Sequence, residues 1–370
     1  MDIYLDNAAT TKIDPEVIAV MNKTMKSTWA NPSSIHKKGQ EARNLLEKSR
    51  KIIAKKINAL PEEIIFTSSA TEANNLAICG ILKIRKQKQI IISAIEHPSI
   101  INLCKQLEKE GYNINYLRVD KEGKINLKEL ESSLTEETAL VSIQHVNNEI
   151  GVIQDIQNIA KICKKKNIPF HTDAVQSFNK IPLNVKTISI TAMSFSAHKI
   201  HGPKGIAALY LKKGTKIKPL FFGGWQEQGL RPGTENLPGI VGFATATTLP
   251  LSIDKIKKIM TYLEKRIKDI QRIIINSPKS SIPTILNVSI DGIEAETLVK
   301  HLNHKGIFIS TGSACSSNIV EPSYVLKALG LSDKQTLSSI RISLSKNTSK
   351  MEIDETIKHL KAIVPILRKL

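Results

Sequence analysis

The sequence predicts an α/β protein: a large domain on a mostly parallel seven-stranded sheet, followed by a smaller α/β domain. Three observations carry this. The chain has 370 residues, more than one ordinary domain needs. From residue 15 to about 249, short β-branched runs alternate with stretches of helical apolar spacing. Polar, turn-forming residues follow those runs, where an open α/β sheet keeps its ligands. A content of 41% hydrophobic and 24% charged residues, with 18 Gly and 15 Pro, excludes collagenous, low-complexity and disordered chains.

Strands are expected over 64–67, 90–93, 114–119, 139–143, 170–172, 192–196 and 206–211, each a short run rich in Ile, Val or aromatic residues. Helices are expected over 37–57, 71–82, 98–110 and 154–166, where apolar residues recur at helical spacing. The second region opens with a long helical pattern over 253–274. A strand at 284–290, a helix at 295–305, a strand at 338–344 and a closing helix at 351–370 follow. The expected division is a large domain of residues 13–250 and a small domain of residues 1–12 and 251–370, the latter carrying a cysteine loop at about 309–320.

Apolar runs such as 90–92 and 363–367 fall far short of the roughly 18 to 20 residues that span a bilayer. Asp2 and Asp6 stand where a secretory signal needs basic residues, so a cytoplasmic protein is expected. The 4 cysteines form no CxxC pair, which fits a reducing compartment. Net charge is +19, from 53 Lys and Arg against 34 Asp and Glu, and raises nucleic acid as a partner. The lysines are spread in runs at 51–56, 83–88 and 161–166, and only 4% of residues are aromatic, so solvated helix faces are the better account. No direct nucleic-acid site and no membrane contact are expected.

The stretch Ser194 to Gly205 (SFSAHKIHGPKG) is dense in polar residues just after a predicted strand. A lysine there, Lys199, can form a Schiff base with a carbonyl, and pyridoxal phosphate is a common carbonyl partner. Taken alone, Lys199 reads better as one surface lysine among many. Asp173 ends the preceding predicted strand, on the same sheet edge. A carboxylate there suits a protonated pyridine nitrogen, or simply caps the next helix. The run Thr67 to Asn75 (TSSATEANN) sets small hydroxyl residues between strand and helix, a phosphate cup and equally a capping box of Ser69 with Glu72. His97 in EHPS stands at another strand end, to stack on a ring, to shuttle protons or only for structure. Asn147 to Gly151 (NNEIG) offers amide donors, or a polar turn. Cys315 lies in a run of small residues, TGSACSSN, where a thiolate could be tethered flexibly, whereas Cys79, Cys104 and Cys163 fall on helices.

Together these stretches resemble the fold-type I pyridoxal phosphate enzymes, and more closely the cysteine desulfurases of the NifS and IscS kind. The resemblance runs through YLDNAATT (4–11), NPSSIH (31–36), SSATEANN, EHPS, VNNEIG, HTDAVQ, SFSAHKIHGPKG, GLRPGTEN (229–236), STGSACSS (310–317), EPSYVLKALG (321–330) and SIRISLS (339–345). It implies a fold-type I transferase with pyridoxal 5′-phosphate as cofactor. Lys199 would carry the Schiff base and move the α-proton, Asp173 would pair with the pyridine nitrogen, and His97 would stack on the ring and assist proton transfer. Asn148 and Gln176 would contact the ring face or hydroxyl. Ala70, Thr71, Ser196 and His198 would hold the phosphate, and Thr234 would reach the phosphate of a neighbouring subunit in a homodimer. Arg341, with Asn148, would bind the carboxylate of L-cysteine. Cys315 would take the sulfur as a persulfide and pass it to an iron–sulfur scaffold protein or a tRNA or cofactor thiolation enzyme. No metal site is implied, with a transient iron–sulfur ligand role left open for Cys315. The SACSS loop is similar to the long loop of the NifS and IscS branch, and the C-terminal extension by which longer IscS proteins engage their scaffold is expected to be shortened. The rivals are a selenocysteine lyase on the same fold and, from another class, a nucleic-acid-binding protein whose affinity falls steeply with salt.

Overall fold

The computed structural model describes residues 2–311 and 322–369. Its first part runs β1 (Ile3–Tyr4), α1 (Pro15–Ser27), α2 (Lys37–Lys56), β2 (Ile64–Thr67), α3 (Ala70–Leu82), β3 (Gln89–Ser93), α4 (Pro98–Lys109) and β4 (Asn113–Leu117). There follow α5 (Leu127–Ser133), β5 (Thr138–Ser142), α6 (Ile156–Lys165), β6 (Phe170–Asp173), β7 (Ala192–Ser196), β8 (Ala207–Leu211) and α7 (Leu237–Thr248). The remainder is α8 (Ile253–Ile267), β9 (Ile273–Ile275), β10 (Ile285–Ile290), α9 (Ala295–Asn303), β11 (Ile307–Phe308), α10 (Tyr324–Ala328), α11 (Asp333–Leu337), β12 (Ser339–Ser343) and α12 (Lys350–Leu367).

Seven strands form one sheet in the order β2-β8-β7-β6-β5-β3-β4. Every neighbouring pair is parallel except those involving β8, which runs antiparallel to both β2 and β7. β2 therefore points the same way as β7, and six strands end on one edge. Alternation along the strands covers both faces, as a parallel sheet requires. Ile64, Phe66, Ile91, Val141, Met193 and Phe195 join a core with α1, α2, α6 and α7, while Ile65, Ile90, Ile92, Leu140 and Leu209 pack with α3 and α4 on the other side. Phe178 stacks on Phe195 at 4.3 Å, and Phe243 of α7 meets both edge-on.

A second apolar core joins α8, α9 and α12 to an antiparallel sheet in the order β12-β10-β9. Ile3 and Leu5 belong to it, because β1 pairs with β11 in parallel, Ile3 opposite Ile307. The helix expected over 253–274 is corrected here. α8 stops at Ile267, Arg272 takes a left-handed turn with φ 55°, and Ile273–Ile275 pairs antiparallel with β10. Helical spacing of isoleucines concealed a β-branched run better suited to a sheet. Among the described residues no helix is long and apolar enough to cross a membrane.

Candidate active site

The strands end where polar side chains converge. β7 runs into a short turn, Ala197–Lys199, that places Lys199 beyond the sheet edge. Its ammonium donates to the carbonyl oxygens of Ala8 and Ala9, both at 2.6 Å. Burial above all, and then the charge of Arg341, push its pKa down to about 8, against the pull of Asp6 and Asp173. The neighbouring His198 is pushed down to about 4, by burial first and then by Lys199, so it is neutral; its Nδ1 lies 3.1 Å from the Thr10 hydroxyl. Ser196 is buried at the end of β7.

Asp173 ends β6, the parallel neighbour of β7. Its Oδ1 accepts from the Val175 amide at 2.9 Å and its Oδ2 from Asn74 Nδ2 at 2.9 Å. No cation among the described residues lies within salt-bridge distance of this buried carboxylate, an arrangement that calls for a positive partner. Asn74 also donates to Ser99 Oγ at 2.9 Å, and Ser99 Oγ lies 2.8 Å from His97 Nδ1. His97 caps α4 by accepting from the Ser99 amide at 3.1 Å, so its neutral ring keeps the proton on Nε2. Its pKa is lowered, by desolvation first and also by Lys199, while Asp173 opposes. One relay thus ties Asp173 to Asn74, Ser99 and His97.

The start of α3 adjoins this relay through Asn74. Ser69 caps the helix by accepting from the Glu72 amide at 3.2 Å. The amides of Ala70 and Thr71 lie in the first turn, where no helical partner exists. Burial works against the Glu72 carboxylate, but Arg231 at 2.9 Å and Ser68 hold it below the usual range. The acid beside the helix start is therefore neutralised by an arginine, and the N-terminus retains its affinity for an anion.

Arg341 sits on β12 with its side chain only 5% exposed. One guanidinium nitrogen donates to the Asn148 carbonyl at 3.0 Å, another to Asp6 Oδ1 at 2.7 Å, and its Nε is buried without a partner among the described residues. Gln176 Nε2 donates to the Ala8 carbonyl at 2.9 Å, while its Oε1 accepts from Lys180 at 3.2 Å. Lys199, Asp173, His97, Asn148, Gln176, His198 and Arg341 are thus linked by hydrogen bonds or mutual charge. Thr234 lies on an exposed loop. Cys315 lies outside the described residues. Burial pushes the thiols of Cys104 and Cys163 up to about 12 and raises Cys79, so none of these three is a ready thiolate.

Sequence reasoning missed Asn74, Ser99 and Asp6 as site members, although each stands inside a motif that pointed to the site. It also missed the carbonyls of Ala8 and Ala9, which carry no side-chain signal. No cluster of His, Cys, Asp and Glu that could hold a metal occurs among the described residues.

The donor set fits pyridoxal 5′-phosphate: an anion-binding helix start, a buried carboxylate without a cation in salt-bridge distance among the described residues, and a lysine of lowered pKa on the neighbouring strand end. Residues 3–356 match the model of the aminotransferase class-V family. A cysteine desulfurase IscS of Dictyoglomus turgidum is 44% identical, the match covering 99% of this chain and 95% of that protein. A cysteine desulfurase of Trichormus azollae is 43% identical over 100% of this chain and 94% of its own. Among solved structures, a NifS-like protein superposes with a TM-score of 0.93 at 36% identity, covering 99% of this chain and 100% of that one. The structure of SspA in complex with cysteine gives 0.85 at 36% identity, over 94% of this chain and 100% of that one.

Proposed function

The chain belongs to the aminotransferase class-V family, within it to the cysteine desulfurases, and we propose that Lys199, Asp173, His97, Arg341 and Cys315 divide the reaction as their chemistry dictates. L-cysteine is the substrate, L-alanine the product, and the sulfur leaves as a persulfide bound for iron–sulfur cluster assembly or for tRNA or cofactor thiolation. The observation that carries this reading is the meeting, on adjacent parallel strand ends, of a lysine with pKa near 8 and a buried carboxylate that lacks a cation among the described residues.

Pyridoxal 5′-phosphate, when bound, supplies a carbonyl for amines and a ring that accepts the electron pair left by a departing proton. The amides of Ala70 and Thr71, with Ser196 and His198, would hold its phosphate, and Asp173 would keep a proton on its ring nitrogen. His97 would lie against the ring, its orientation set by Ser99. Asn148 and Gln176 would face the ring and its hydroxyl. Arg341 receives the substrate carboxylate, a task that suits a planar guanidinium. Lys199 yields its place to the substrate amine and, its lowered pKa giving a neutral fraction that grows as pH rises towards about 8, takes the α-proton and returns it. The Cys315 thiolate attacks the substrate sulfur; the carbon–sulfur bond breaks with its electron pair going to carbon, which takes up a proton, the sulfur stays on Cys315 as a persulfide, and the carbon skeleton leaves as L-alanine.

The division of the chain into 13–250 and 1–12 with 251–370 gives this proposal its mechanics. Lys199, Asp173 and His97 fall in one part, Arg341 and Cys315 in the other, so substrate is held between them. A homodimer belongs to the same reading. Phe221, Phe222 and Trp225, at 56%, 88% and 88% exposure, precede Thr234 on the loop that would reach a neighbouring subunit. A reducing, cytoplasmic setting belongs to it too, since Cys315 must remain a thiol.

The test is to incubate holoenzyme with L-cysteine and a reductant, and to measure alanine and sulfide per subunit beside Cys315→Ala. Equal yields that vanish in the variant are expected. Pyruvate and ammonia, or undiminished activity in the variant, would instead identify a lyase using the same lysine.

A further inference from the structure

The reaction leaves the first residues of the chain without a task, yet they touch four members of the site. Asp6 holds Arg341, the Ala8 carbonyl receives both Lys199 and Gln176, the Ala9 carbonyl receives Lys199, and Thr10 meets His198. Backbone pairing fixes this segment in place. Leu5 donates to the Phe308 carbonyl at 2.8 Å, and Ser343 donates to the Leu5 carbonyl at 2.7 Å. Asp6 therefore reaches Arg341 from an anchored strand.

A buried guanidinium without a counter-charge is costly, and Asp6 meets that need at 2.7 Å. The Asp6 side chain is 22% exposed and that of Arg341 5%, so the carboxylate is the solvent-facing partner of the pair. An amino-acid substrate brings a second carboxylate of the same charge and shape to the same fork of donors. One nitrogen of that fork is already committed to the Asn148 carbonyl, and Nε is enclosed by protein. The remaining nitrogen is the one Asp6 occupies. Two carboxylates drawn to one cation repel each other.

We propose that Asp6 is the resting occupant of the substrate-carboxylate site, an internal competitor that keeps Arg341 paired in the absence of substrate and raises the KM for L-cysteine. This rests on the assignment of Arg341 to the substrate carboxylate. Asp6 is thus a positioning residue, acting through Arg341, and its effect is selective: ligands with a carboxylate feel the competition and plain amines do not.

The test uses holoenzyme carrying Asp6→Asn, which keeps a side-chain oxygen for Arg341 but removes the charge. Cofactor absorbance is titrated with L-alanine, which has the carboxylate and no sulfur, and with cysteamine, which has no carboxylate. L-alanine is expected to bind roughly fivefold tighter, the KM for L-cysteine to fall by a similar factor, and cysteamine affinity to hold. Unchanged or weaker L-alanine binding, or an equal change for cysteamine, overturns the competition. Arg341→Lys distinguishes the two levels of the argument. If it leaves L-alanine binding intact while cysteamine is also unaffected, the assignment of Arg341 fails. If it weakens L-alanine and Asp6→Asn does nothing, only the role of Asp6 fails. Thermal melting of Asp6→Asn run alongside shows whether the variant is folded.

Discussion

With a pKa of about 8, the neutral fraction of Lys199 falls roughly tenfold for each pH unit below that value. Only the neutral amine attacks a carbonyl, so capture of pyridoxal phosphate by apo-protein should accelerate from pH 6 to about 8 and then level off. Stopped-flow absorbance reads this directly; a flat profile would mean that the ammonium does not control the step. The same shift has a sign for stability. Folded Lys199 gives up its proton near 8 and the unfolded side chain near 10.5, so below 8 the buried charge opposes folding. That penalty is relieved as pH rises from 8 towards 10.5. Lys199 and Asp173 were legible in the sequence because such chemistry needs a charged side chain at a strand end, and few charged residues stand there. Asn74 and Ser99 stood in quoted motifs, but nothing in their spacing said that one amide would bridge Asp173 and Ser99. The carbonyls holding Lys199 were not legible at all, since any residue at positions 8 and 9 would supply the same oxygen.

Between elements, α2, β2 and the turn after Trp225 are joined by one buried ion pair. Arg50 grips Glu227 through two bonds of 2.7 Å, Glu227 accepts from the Phe66 amide at 2.7 Å, and Arg50 donates to the Ile64 carbonyl at 2.8 Å. The pair holds Glu227 and Gln228 in left-handed conformations, φ 47° and 60°, just before the loop that carries Arg231 and Thr234. Glu227→Ala would leave the buried guanidinium with only the half-exposed Glu47 at 3.3 Å as counter-charge and should cost about 3 kcal/mol. Urea unfolding of apo-protein checks this, and a loss under about 1 kcal/mol would show that water replaces the carboxylate. Elements with local punctuation were readable: Ser69 with Glu72 marks the start of α3, and His97-Pro98 the start of α4. β9 was not, because an isoleucine run satisfies either period and only its partner β10 decides. The apolar α7, LPGIVGFATATT, has no polar face to reveal it and is buried between α1 and α2 on one side and the sheet core on the other.

For the whole molecule, exposed Phe221, Phe222 and Trp225 should find cover in a second copy. Sedimentation should give a dimer, and Phe222→Asp with Trp225→Asp should shift it towards monomer while lowering activity per subunit. A variant that stays dimeric at full activity would place the interface elsewhere. No periodicity in the sequence points to a dimer; that expectation came with the resemblance alone, since a surface patch is assembled only by folding. The strand order carries a consequence for biosynthesis. β2 and the helix start that follows it lie beside β8, so the cup for an anion waits on a strand made some 140 residues later. Asp6 and the carbonyls that hold Lys199 wait longer still, for Phe308, Arg341 and Ser343. On a ribosome releasing roughly 5–20 residues per second, residues 3–6 wait for these partners until the chain's last part emerges. A product truncated before β12 lacks Arg341 and should release no sulfide from L-cysteine.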